Sequence, residues 1–172
     1  MKEFKTFKTD RLTLRPVAFE DAPFIFELMT SDKWIKFIGD RKIIELQDAH
    51  NYIESRMMPQ LNKLGFGNYA VVRNEDEMLV GTVGLYDRDG FEGVDIGFAF
   101  LEIFERKGYA LEASERLMRA AKEDFNLHLI KGITTEANDS SQKLMKKLGL
   151  EFIKFMRMEG DPEELMLFQK EI

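Results

Sequence analysis

The chain has no cysteine among its 172 residues. That absence excludes a disulfide scaffold, a thiolate nucleophile and a cysteine-ligated zinc site. Histidine is nearly as scarce, so only His50 and His128 could act as an imidazole base or ligand. There are four prolines and a single tryptophan, Trp34. No apolar run approaches the roughly 20 residues of a membrane span. Met1 to Asp10 alternates charge with single aromatics and does not read as a secretory signal, so a cytoplasmic protein is expected. The net charge is −6, which leaves no cationic excess for a nucleic-acid backbone and suits cationic partners such as amines or basic peptides. Two nucleotide signatures are also missing, Gly-x-x-x-x-Gly-Lys-Ser/Thr and Gly-x-Gly-x-x-Gly.

What remains is a composition of 44% hydrophobic and 33% charged residues. It fits one globular domain over residues 1–172, with enough chain to bury a core. Arg11 to Val17 alternates and reads as a short strand ended by proline. Glu20 to Met29 and Gln47 to Lys63 carry apolar residues at helical spacing, with a short amphipathic piece at Lys33 to Ile38 between them. The period then changes to two. Tyr69 to Val72, Met78 to Tyr86 and Val94 to Leu101 read as antiparallel strands, joined by turn residues at 74–77 and 87–90. Ala110 to Phe125 is a helix, Ile130 to Thr135 a strand, and Asn138 to Leu148 a helix capped by Gly149. Phe152 to Met158 and Glu164 to Gln169 close the chain as strands. The expected class is α/β (α+β), a mixed, mostly antiparallel sheet of about seven strands flanked by about four helices.

One junction stands out. The strand ending at Leu101 runs through Glu105-Arg106-Lys107-Gly108-Tyr109-Ala110-Leu111-Glu112-Ala113 into a helix. A strand, a glycine loop and a helix N-terminus offer unpaired N–H groups and partial positive charge, a natural seat for phosphate. Alone, such a junction is more often just a tight connection. Gly97 within a strand marks a bulge or a close backbone approach. Asn138 suits a helix N-cap.

Taken together, these segments resemble the GNAT acyltransferase superfamily. Arg11-Leu12-Thr13-Leu14-Arg15-Pro16 with Glu20-Asp21-Ala22 resembles the opening of the branch that holds the ribosomal-protein N-terminal acetyltransferases. Ile96-Gly97-Phe98-Ala99 with Lys107-Gly108-Tyr109-Ala110 and Glu112-Ala113 resembles its central motif. Asn138-Asp139-Ser140-Ser141, followed by Lys147-Leu148-Gly149, resembles its late signature. The resemblance implies splayed central strands and acetyl-CoA as cofactor. The pyrophosphate would lie on the amides of Arg106, Lys107, Gly108, Tyr109 and Ala110. The pantetheine arm would pair along Phe98, Ala99, Phe100 and Leu101 and bond the amide of Asn138. Ser141, on the same helix, would contact the cofactor and give a proton to the leaving thiolate. Asp95 would be the base, directly or through a water, unless it is structural, and Glu136 is a weaker candidate. The backbone amide near Phe98 or Ala99 would donate to the oxyanion.

The implied reaction is direct acetyl transfer to a primary amine in a ternary complex, with no metal and no acyl-cysteine stage. The amine belongs to a protein N-terminus or a small molecule, and the protein is a monomer or homodimer. An acyl-CoA sensor on the same scaffold is the alternative. Two departures from the pattern matter. Glu105 stands where Gln or Arg is usual and would point to solvent, offset by Arg106 and Lys107. Met145 stands where many relatives carry a proton-donating Tyr. His128 reads as a packed structural residue, and His50, Trp34 and Phe37 as core or acceptor wall.

Overall fold

The computed structural model describes residues 4–172, so Met1 to Glu3 of the N-terminal stretch read above lie outside the described residues. The chain builds an eight-stranded sheet in the order β1-β2-β3-β4-β5-β6-β8-β7. Strand β2 (Leu12–Pro16) forms where Leu12 and Leu14 alternate into the core, both fully buried. It pairs with β3 (Asn68–Arg73), which pairs with β4 (Leu79–Asp87), and β4 pairs with β5 (Val94–Phe100), all antiparallel. The β5–β6 contact is the parallel one, with β6 spanning Leu129–Thr134. The last strand, β8 (Leu165–Glu171), inserts between β6 and β7 (Glu151–Met156). The strand beyond the expected seven is β1 (Phe7–Lys8), two residues paired to β2 at the sheet edge.

Helices cover both faces. On one side lie α5 (Tyr109–Glu123) and α6 (Asp139–Lys147). Ala113, Leu117, Ala120 and Ala121 of α5 recur at i, i+4, i+7 and i+8, and all are fully buried against Leu14, Val71, Val83 and Ile96. On the other side α1 (Ala22–Met29) and α3 (Leu46–Tyr52) pack with Val17 and Ala70. Between them runs the short α2 (Asp32–Phe37), capped by Ser31, whose hydroxyl accepts from the Trp34 N–H. β5 serves both layers as its alternation predicts. Ile96, Phe98 and Phe100 meet the α5 core, and Ala99 meets the α1 core.

The helix expected over residues 47–63 is not continuous. It widens into a π turn at Ile53–Met57 before resuming as α4 (Met58–Leu64). Pro59 explains this: it has no N–H to give the carbonyl four residues back, and its ring opposes that carbonyl. Arg15 ties the end of β2 to the first helical layer. Its guanidinium donates two 2.7 Å bonds to the buried carboxylate of Asp21. No helix among the described residues is long and apolar enough to cross a membrane.

Candidate active site

β5 and β6 are in register only at Val94–Ile130 and Asp95–Lys131. Beyond Asp95 the two strands part, while β5 runs on beside β4 to Phe100. The result is a V-shaped opening at the C-terminal ends of two parallel strands, the place where open sheets of this kind admit ligands. The Leu101 N–H donates to the Val80 carbonyl (3.1 Å). Antiparallel alternation therefore turns the backbone of Ala99 and Gly97 to β4 as well, and leaves that of Phe98 and Phe100 facing the opening. The expectation that four consecutive residues, Phe98 to Leu101, offer backbone groups there is corrected to two. Period two gives the other pair to the sheet.

Each strand of the V leads to a helix N-terminus. After β5, Gly108 takes the left-handed conformation with φ +81° and starts α5. The first bond of the helix runs from the Glu112 N–H to the Gly108 carbonyl (3.1 Å), so Tyr109, Ala110 and Leu111 have no partner within the helix. Arg106 is also left-handed, at φ +59°. A Cβ on Gly108 would lie 3.2 Å from the Arg11 guanidinium, so crowding as well as φ calls for glycine there.

Arg11 pins this loop. Its Nη1 donates to the Lys107 carbonyl (2.9 Å), its Nε to Glu112 Oε2 (2.7 Å), and its plane lies 4.7 Å from the Tyr109 ring. Glu112 Oε1 also accepts from the Thr9 hydroxyl (2.6 Å) and the Arg11 N–H (3.1 Å). Burial would raise the Glu112 pKa, but these donors outweigh it and hold the carboxyl below its ordinary 4.5. A depressed carboxylate stabilises the fold above the unfolded pKa and loses that contribution as pH falls through the folded one. Glu112→Gln is accordingly expected to cost about 1 kcal/mol at pH 7, since Arg11 is half exposed. The difference from wild type should shrink below pH 4.5, as measured by urea denaturation across pH.

After β6, Asn138 caps α6, its Oδ1 accepting from the Ser141 N–H (3.2 Å) and the Ser140 hydroxyl (3.0 Å). Ser141 is buried at 8% exposure. Thr135, whose carbonyl accepts from the Asn138 N–H (3.1 Å), has a buried hydroxyl without a partner among the described residues. At the other end of α6, Gly149 has φ +84°, and the N–H groups of Gly149 and Leu150 return to Lys146 and Met145, the cap expected from sequence.

The α1–α4 face of the opening holds a different set. Asp95 is 1% exposed, and Arg88 grips it through Nε–Oδ1 (2.6 Å) and Nη2–Oδ2 (3.0 Å). Arg88 in turn lies 4.8 Å over the Tyr86 ring, and the Tyr86 hydroxyl donates to Asn68 Oδ1 (2.7 Å). Burial pushes Asp95 above the ordinary carboxylate value, and Arg88 opposes the shift without cancelling it. Burial raises the Tyr86 phenol too.

This framework has known counterparts. The family profile described as the acetyltransferase (GNAT) domain matches residues 11–151. The chain belongs to the GNAT acetyltransferases. It is 27% identical over 152 residues to the uncharacterized N-acetyltransferase YnaD of Bacillus subtilis, a match spanning 88% of this chain and 82% of YnaD. An acetyltransferase of Agrobacterium tumefaciens superposes with a TM-score of 0.84 at 23% identity, over all of this chain and 97% of its own. RimL, a ribosomal L7/L12 alpha-N-protein acetyltransferase solved with coenzyme A, gives 0.83 at 13% identity over 98% of both chains. The coenzyme there is disulfide-linked to a cysteine, a bond this cysteine-free acetyltransferase cannot form.

This acetyltransferase's geometry corrects three sequence readings, those of Glu105, of Gly97 as a bulge and of His128, and gives Met145 and Glu136 their places. Glu105 is half-buried and pairs with Lys33 of α2, so its charge is met from another element and not by Arg106 and Lys107. Gly97 is no bulge, because the β4–β5 register is unbroken; a Cβ there would lie 2.7 Å from the Tyr86 ring, and one on the facing Gly84 would lie 2.5 Å from it. The two glycines make room for a tyrosine lying across the sheet. His128 is exposed rather than packed. Met145 is buried in the core against Gly132. Glu136 is exposed. Sequence reasoning missed Tyr86, Arg88 and Thr135. The facing glycines were the one signal for the first, and the other two carry none.

Proposed function

We propose that residues 1–172 act as one domain that binds acetyl-CoA and passes its acetyl group directly to a primary amine, on a protein N-terminus or a small molecule. The parting of β5 and β6, with a helix N-terminus at each arm, is the observation that carries this reading. The residues present fit the cofactor: free backbone on Phe98 and Phe100, a left-handed glycine opening α5, and the orphaned Thr135 hydroxyl. Bound acetyl-CoA would supply an acetyl group activated as a thioester.

The chain's own groups then divide the work. The amides of Arg106 to Ala110 hold diphosphate, helped by the α5 dipole. Phe98 and Phe100 pair the amide groups of the arm as an added strand would, and the Phe98 N–H is the donor available to a carbonyl oxygen. The Asn138 side-chain amide extends the same row. Asp95, whose raised pKa brings it nearer the working pH, accepts the amine's proton, directly or through a water. Ser141 holds a hydroxyl proton at the first turn of α6, available to a sulfur leaving group. Ser141→Ala is expected to lower turnover about tenfold with the affinity for acetyl-CoA unchanged. Steady-state thiol release and calorimetry measure the two, and full activity would remove Ser141 from the proton path.

A second reading has one observation in its favour. Both carboxylate oxygens of Asp95 are engaged by Arg88, and Asp95 is almost fully buried, as a structural residue would be. A sensor built on this scaffold would bind acetyl-CoA tightly and release no thiol with any amine.

A further inference from the structure

Arg88 has more donors than its partner uses. A guanidinium carries five N–H groups in a planar fork. Asp95 takes one from Nε and one from Nη2, which leaves Nη1 and the outer hydrogen of Nη2 with no acceptor among the described residues. The side chain is 38% exposed although its partner is 1% exposed, so the fork is anchored at its inner edge and open at its outer one. Tyr86 stacks against it and is itself fixed by Asn68 and by the two glycines beneath its ring. An arginine held by a buried carboxylate and an aromatic plane has already lost its side-chain freedom. It can therefore bind a second planar anion at little further entropic cost.

Position decides whose anion that is. Asp95 stands at the closed end of the V, five residues before Phe100 along β5. At about 3.3 Å per residue that is roughly 17 Å from the end of the strand, and the phosphate loop lies further on. The pyrophosphate cannot reach Arg88. Phe98, whose amide would take the acyl oxygen, is only three residues along β5 from Asp95, so an amine attacking that acyl group would come in beside Asp95, and Asp95 shares its sheet face with Tyr86 and Gly97. Exposed Asp87 and Asp89 flank Arg88 in the chain and disfavour a polyanion, leaving a single carboxylate as the charge that suits the fork.

Resting on the acetyl-transfer reading above, we infer that Arg88 recognises a carboxylate on the acceptor, so that the preferred substrate is an amine bearing an acidic group within a few bonds of its nitrogen. An acidic amino acid, or a peptide that begins with one, has this chemistry. Arg88 is then a specificity residue, with Asp95 and Tyr86 positioning it.

The test uses matched acceptors that differ only by carboxylate against amide: glutamate with glutamine, and peptides beginning Glu-Ala or Gln-Ala. Thiol release gives kcat/KM for each, and calorimetry gives acetyl-CoA affinity. The wild type is expected to favour the carboxylate member about tenfold. Arg88→Gln should erase that ratio and Arg88→Lys retain part of it, with acetyl-CoA affinity unchanged in both. Equal rates on each wild-type pair would overturn the inference and leave the transferase reading intact. A preference that survives in a folded Arg88→Gln would also overturn it. No thiol release with any of these amines, despite bound acetyl-CoA, would remove the transferase reading and this inference with it.

Discussion

Gly108→Glu is expected to weaken acetyl-CoA binding at least 100-fold, about 2.7 kcal/mol, while the protein still folds. Three effects add. A non-glycine residue at φ +81° costs about 1–2 kcal/mol. A Cβ at that point crowds the Arg11 guanidinium at 3.2 Å, disturbing the side chain that fixes Lys107 and Glu112. The new carboxylate also sits beside the free N–H groups of Tyr109 to Leu111, where diphosphate would lie, and repels it. Gly108→Ala carries the first two costs without the third and should bind more weakly than wild type but better than Gly108→Glu. Calorimetry with acetyl-CoA separates them, and a thermal melt confirms folding. Unchanged affinity in Gly108→Glu would mean that the α5 N-terminus does not hold the cofactor.

Asp95→Asn is expected to lower turnover about 100-fold at neutral pH, in the range typical of a lost general base. The loss should shrink as pH rises toward the pKa of the acceptor amine, where the amine arrives already neutral. In the wild type the acid limb of kcat/KM should fall at a pH above the ordinary carboxylate value of 3.8, because burial raises Asp95. The substitution keeps the shape of the side chain but leaves Arg88 without its counter-charge, so a loss of stability accompanies it. Broken buried pairs cost about 3–5 kcal/mol. The half-exposed guanidinium can turn to water, which places the cost here toward or below the lower end. A fall in turnover that is the same at every pH would identify Asp95 as a structural anchor of Arg88.

Much of this was legible in the chain because the signals are local. The period change at Tyr69, the repeat in α5 and the Asn138–Ser141 and Gly149 caps each lie within one or two turns of sequence. β1 was not legible, because two residues cannot display an alternation. The π turn was hidden because Pro59 was read inside a helical pattern rather than as a missing donor. The site's ion pairs were hidden for a different reason. Glu112 meets Arg11 across 101 positions and Glu105 meets Lys33 across 72, distances at which no periodicity operates. Arg88 and Asp95 are close in sequence, yet the intervening residues read only as turn chemistry, and the pair becomes visible once β4 and β5 are in register. Splayed strands were expected from resemblance alone. The parting of β5 from β6 gives that expectation its geometry, and the alternation of β5 assigns the open backbone to Phe98 and Phe100.

The measurement that bears most directly on the account is amine-dependent thiol release from acetyl-CoA by the wild-type protein, read against a panel of amines and N-terminal peptides. The account predicts release above the hydrolytic background that saturates with acceptor and stops when the amine is withheld. Binding of acetyl-CoA with no release above background for any acceptor would contradict it.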